Sequence, residues 1–70
     1  MKQIQIGLFG FGVVGEGIYH VLRSTPALGA SIKKICIQHP EKERAAPKEL
    51  FTTRYDDLLQ DADINLIVEL

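Results

Sequence analysis

The sequence has one cysteine, Cys36, no apolar run approaching a membrane span, and almost no net charge, with eight basic against nine acidic residues. A single thiol excludes an internal disulfide framework and fits a reducing compartment. Cys36 reads as a small apolar filler within a strand, the usual place of a free cysteine. A membrane helix needs roughly 18 consecutive apolar residues, and the opening MKQIQIGLFG runs into glycines where a cleavable leader would have its cleavage site. Neither the formal charge of −1 nor its distribution supplies a basic patch, which argues against nucleic acid and anionic membrane as partners. Repeats, low-complexity tracts and a metal-ligand pattern are also missing. What remains is the composition of an ordinary globular protein, 46% hydrophobic and 24% charged over 70 residues, at most one small domain, with a cytoplasmic setting expected.

The hydrophobic pattern alternates between strand and helix periods. Residues 3 to 9, with Ile4, Ile6, Leu8 and Phe9, predict a strand covered on both faces. From about Val13 to Ser24 the period changes, and Val14, Ile18, Val21 and Leu22 mark the inner face of a helix. Thr25-Pro26 ends it. Ile32 to Gln38 predicts a second strand. The stretch HPEKERAAPKE carries six charges and two prolines in eleven residues, a surface loop with room for a helical turn or two over Glu41 to Ala46. A short third strand is expected over Leu50 to Thr53. Thr53 and Asp56 then form a capping box for a helix reaching about Asp61, with Leu58 and Leu59 inward. Ile64 to Leu70 predicts a fourth strand. Strands alternating with helices imply an α/β fold with a Rossmann-like doubly wound parallel sheet, in part, and strand order 3-2-1-4. In such sheets ligands bind at the carboxyl ends of the strands, where the order reverses.

Four glycines, Gly7, Gly10, Gly12 and Gly15, fall within nine positions at that reversal. Gly10-x-Gly12-x-x-Gly15 follows a strand and opens a helix, the context in which this pattern binds a dinucleotide. Gly10 makes the tight turn, Gly12 lets a pyrophosphate approach the backbone, and Gly15 lets helix and strand pack closely. The anion is held by unpaired N–H groups at the helix start, aided by the helix dipole. Phe11, Val13 and Val14 therefore contribute backbone more than side chain. Gly7 is assigned to close packing in the first strand and Gly17 to the small face of the helix. No Gly-Lys-Ser/Thr follows, which excludes a P-loop here.

At the end of the second strand, where a carboxylate commonly holds the NAD ribose, the chain has Gln38 and His39, and the nearest acid is Glu41. Lys42 and Arg44 follow closely. The missing acid and the two cations tilt the cofactor toward NADP over NAD, with Gln38 and Arg44 as contacts at the adenosine end. Lys42 and Arg44 also fit a solvated loop, paired with Glu41 and Glu43. His39 lies far from any hydride and is not expected to act as a base; His20, on a helix, faces solvent or packs.

IGLFGFGVVGEG near the start, LFTT followed by DDLL, and then DADINLIVEL resemble the beginning of homoserine dehydrogenase over essentially all 70 residues. Thr52-Thr53 with Val68-Glu69-Leu70 carries the resemblance most specifically. Gln38-His39 stands where that family commonly has Arg-Asp, and Arg54 where it often has an acid. The resemblance implies a cytoplasmic enzyme of amino-acid biosynthesis, toward threonine and methionine, that interconverts homoserine and aspartate semialdehyde with NADP or NAD. It further implies that this chain is the first part of the dinucleotide-binding domain. Catalytic lysines and substrate-binding acids then lie beyond position 70, in a second α/β domain that commonly forms a homo-oligomer. Glu69 is expected to support the site rather than act as a base, and no catalytic residue is assigned within the chain. The fourth strand, ending at the last residue, reads as the open edge of a fragment, suited to pairing with another copy. Two alternatives satisfy the same residues: a non-catalytic nucleotide-sensing module and a dehydrogenase for another small substrate.

Overall fold

The structure, a computed structural model, describes residues 3–70. Strand β1 (Ile4–Phe9) leads through a glycine turn into helix α1 (Val13–Ser24), and a single 3-10 turn at Pro26–Leu28 leads to β2 (Ala30–Cys36). An irregular loop and a second 3-10 turn (Lys48–Leu50) reach the two-residue strand β3 (Phe51–Thr52), followed by helix α2 (Asp56–Leu59) and β4 (Leu66–Glu69). All pairings are parallel and the sheet order is β3-β2-β1-β4, the doubly wound arrangement with its reversal between β1 and β4.

The two helices cover opposite faces of β1, which accounts for the unbroken apolar run over its second half, Ile6 to Phe9. On the α1 face, Ile6, Leu8, Ile35 and Ile37 pack with Phe11 and Tyr19, and Leu22, Ile32 and Val68 close in from the sides. On the other face Leu58 of α2 is fully buried. A Cβ added to Gly7 would lie 3.1 Å from both Leu58 and Ile67. Gly7 is thus the packing glycine expected from sequence, and what it admits is α2.

The structure departs from the sequence pattern at several points. The inner stripe of α1 is Gly15, Ile18, Tyr19 and Leu22, while Val14 and Val21 are 64% and 57% exposed. The helix rests on its small residue, which turns Tyr19 inward against Phe11 and rolls the two valines outward. Leu59 likewise points to solvent because α2 has a single turn and buries one leucine. No helical turn forms over Glu41 to Ala46; that segment stays irregular, bounded by Pro40 and Pro47. The expected capping box on Thr53 and Asp56 is replaced by a bond from the Thr52 hydroxyl to the Asp57 carboxylate, and Thr52 Oγ accepts the Arg54 N–H at 3.1 Å. Strand β2 starts two residues early and ends at Cys36, whereas β4 is shorter than expected because Asn65 spends its side chain on the Gln5 N–H at 2.9 Å before the ladder begins.

Strand β2 contains one irregularity. Ile6 pairs with Ile32 and Gly7 with Lys34, so Lys33 is an extra residue, a bulge. Its ammonium reaches Asp61 at 2.8 Å and Asp63 at 2.9 Å, tying the sheet to the turn between α2 and β4.

Candidate functional site

The carboxyl ends of β1, β2 and β4 open onto a crevice of about 1060 Å³. Its floor is the turn that links β1 to α1. Gly10 has φ +102°, a conformation that side-chain-bearing residues avoid, and its N–H donates to the Cys36 carbonyl at 2.9 Å. That bond fastens the turn to the end of β2. Phe11 is buried beneath the turn, edge-on to Tyr19 at 6.0 Å and to Phe51 at 5.2 Å. The loop is therefore anchored by an aromatic on its inner side while its outer side stays bare.

Gly12 is the N-cap of α1, with extended backbone and no side chain to satisfy the first turn. The first hydrogen bond of the helix, from the Glu16 N–H to the Gly12 carbonyl, is 2.9 Å long. The N–H groups of Val13, Val14 and Gly15 precede it and have no intrahelical acceptor. A Cβ added to Gly12 would meet nothing within 4 Å, whereas one added to Gly15 would come within 2.9 Å of Leu70 and 3.1 Å of the Gly10 carbonyl oxygen. Gly12 thus leaves open space over three free donors, and Gly15 serves contact between helix and strand. Unpaired donors, a helix dipole and room for close approach are the donor set that a diphosphate requires.

Of the residues expected at the site, Gly10, Phe11, Gly12, Val13, Gln38 and Arg44 line the crevice. Val14 and Gly15 do not; Val14 projects outward and Gly15 is buried, so each brings only its N–H to the helix start. Gln38 is exposed just past β2. Glu41 is drawn toward His39 at 3.4 Å and is absent from the wall, where Lys42 and Glu43 stand instead. His20 is half exposed and paired with Glu16 at 3.7 Å.

Burial pushes the Cys36 thiol up from its ordinary range, and the Asp57 carboxylate adds to the shift, which disfavours the thiolate although the group borders the crevice. Among the described residues no three His, Cys, Asp or Glu side chains group to hold a metal, and no helix is long and apolar enough to cross a membrane. Thr53 and the largely exposed Tyr55 also line the crevice, and neither belongs to the residues expected there from sequence. A signal for them exists, because residues just after a strand of a parallel sheet face its ligand crevice. The expected third strand runs through Thr53, and it is the end of β3 at Thr52 that leaves Thr53 and Tyr55 beyond the strand.

No family model matches the sequence. Against individual proteins, it is 32% identical to a homoserine dehydrogenase of Bacillus subtilis over 99% of the chain, and 34% identical to one of Synechocystis over 96%. These matches cover 18% and 17% of the relatives, so the chain spans less than a fifth of their length. The crystal structure of the S. aureus homoserine dehydrogenase superposes on 99% of the chain with a TM-score of 0.79 at 27% identity, using 20% of that protein. Sequence and fold are thus both similar to one segment of homoserine dehydrogenases.

Proposed function

We propose that residues 1–70 form part of the dinucleotide-binding domain of an NAD(P)-dependent homoserine dehydrogenase, an oxidoreductase of amino-acid biosynthesis that interconverts homoserine and aspartate semialdehyde. The observation that carries this reading is the bare helix start above Gly12, set at the strand reversal of a sheet similar to that of the S. aureus enzyme. Val13, Val14 and Gly15 donate their N–H groups to the pyrophosphate. Gly10 turns the chain out of its way, and Phe11 holds the turn rigid from below. Gln38 and the loop bearing Lys42 and Arg44 form the wall at the adenosine end. With no carboxylate at the end of β2, and Lys42 and Arg44 against the single Glu43 on that wall, the preferred cofactor is NADP.

The nicotinamide supplies the hydride chemistry when bound. This chain's own share is binding and orientation. Holding the cofactor rigidly converts the encounter of two reactants into a unimolecular event, while proton transfer to or from the substrate oxygen needs a separate group within hydrogen-bond reach. No residue of the chain is given that role, so the substrate side and the homo-oligomeric assembly belong to the rest of the enzyme. Calorimetric titration of the full-length protein with NADP and NAD, together with an assay of homoserine oxidation, tests the reading. Binding of both nucleotides, tighter for NADP, with turnover of homoserine, is expected. Absence of dinucleotide binding overturns it.

A further inference from the structure

The loop from His39 to Arg44 has no regular structure, yet it is closely tied. The Lys42 N–H donates to the His39 carbonyl at 3.2 Å, and Arg44 Nη1 donates to that same carbonyl at 2.7 Å and to the Lys42 carbonyl at 3.0 Å. One guanidinium nitrogen therefore closes the loop across its base. The guanidinium also lies over the Phe51 ring, 5.6 Å from its centroid, and Phe51 in turn packs edge-on against Phe11 in the glycine turn. Arg44 is locked at one end to the loop carbonyls and on its face to an aromatic that reaches the floor of the crevice. Lys42 stands on the crevice wall, and among the described residues its ammonium has no ion-pair partner within 4.0 Å, whereas Lys33 has two.

We infer that the two cations divide the recognition of one group between them. Lys42 meets the 2′-phosphate of NADP, and Arg44 is a positioning residue that clasps the loop and presents Lys42 to the crevice. This rests on the dinucleotide reading above and adds which residue sets the choice of cofactor. A compact ammonium on a flexible stem serves as a point charge for phosphate, while the Arg44 guanidinium bonds both carbonyls through Nη1 and still lays its plane against the Phe51 ring, a planar face that an ammonium does not have. Glu43 shares the wall, so the clasp must also keep the correct one of two adjacent charges facing the ligand.

A double-mutant cycle on the full-length protein separates this division from two independent phosphate contacts. Dissociation constants for NADP and NAD are measured for the parent, Lys42→Ala, Arg44→Ala, the double variant and Arg44→Lys. Lys42→Ala is expected to weaken NADP about tenfold, the scale of one charge-assisted contact, and to leave NAD unchanged. Arg44→Ala weakens NADP similarly, but adds nothing in the Lys42→Ala background. Arg44→Lys fails to restore NADP affinity although it keeps the charge. Losses that multiply in the double variant, rescue by Arg44→Lys, or an unaffected NADP affinity in Lys42→Ala overturn the inference. If the parent binds neither nucleotide, the dinucleotide reading itself fails, an outcome distinct from any of these. Should Arg44→Ala not fold, Lys42→Ala and Arg44→Lys still decide.

Discussion

Gly12 and Gly15 stand three residues apart and are glycine for opposite reasons. At Gly15 the protein itself fills the space, since an added methyl would strike the Gly10 carbonyl oxygen at 3.1 Å and Leu70 at 2.9 Å. At Gly12 nothing of the protein lies within 4 Å. Folding therefore demands the first glycine of this pair only at the level of its helix cap, and serine caps better than glycine by a few tenths of a kcal/mol. Gly12→Ser is accordingly expected to raise stability slightly, because its hydroxyl oxygen accepts an N–H of the first turn. The same hydroxyl takes a donor and the space intended for the pyrophosphate, so dinucleotide affinity falls sharply. Urea midpoints and calorimetric titration of the same variant check the two signs, and unchanged affinity would remove the helix start from the site. The glycine pattern is legible in the sequence because it expresses backbone needs that are local in the chain. The difference in surroundings between Lys42 and Arg44 is not, since it depends on Phe51, seven residues past Arg44 and on strand β3.

Among the elements, the bulge in β2 has a consequence for pH. Lys33 departs from the pairing register and holds Asp61 and Asp63, fixing the turn that delivers β4 to β1. Hydrogen bonding to Lys33, then the Asp63 N–H, holds the Asp61 carboxyl below its ordinary range. Hydrogen bonds to Asp61 and Asp63 raise the Lys33 ammonium above 10.5. A depressed carboxyl stabilises the fold above its unfolded value, about 4, and loses that contribution as pH falls through the lower folded value. The raised lysine contributes below 10.5 and loses it at higher pH. Both contributions are thus intact across neutral pH, and all the groups involved are solvent-accessible, so the effect is modest and screened by salt. Lys33→Met is expected to lower the urea midpoint at pH 6 more than at pH 3, flattening the acid limb; equal losses at both values would exclude the pairing as its cause.

Element boundaries are readable where an apolar period meets a breaker, as at Thr25-Pro26, and unreadable where a side chain decides them. Asn65 delays β4 by bonding the Gln5 N–H, and the bulge at Lys33 goes with tertiary ion pairs that no local pattern announces. The inner face of α1 lies one residue out of phase with its valines. They suggest one contact stripe, but the contact is made where a glycine permits close approach and a tyrosine finds aromatic partners.

At the scale of the molecule, the strand order follows from chain connectivity, because right-handed crossovers between successive parallel strands leave few ways to lay down four of them. That topology also leaves β4 at an edge, with pairing to β1 on one side only. Leu66 and Leu70 are 45% and 50% exposed there, an open row of backbone donors and acceptors flanked by apolar side chains. Produced separately, the 70 residues are expected to self-associate in proportion to concentration through this strand. Leu66 is the informative position, because Ile67, though 40% exposed itself, also packs against Gly7. A lysine there places a charge along the edge, which disfavours strand addition while leaving the β1 ladder intact. Sedimentation of Leu66→Lys is expected to show a lower average mass than the parent at equal concentration, with the far-ultraviolet dichroism of both alike. A parent that sediments as a monomer throughout the range would mean that this edge, although open, is not adhesive.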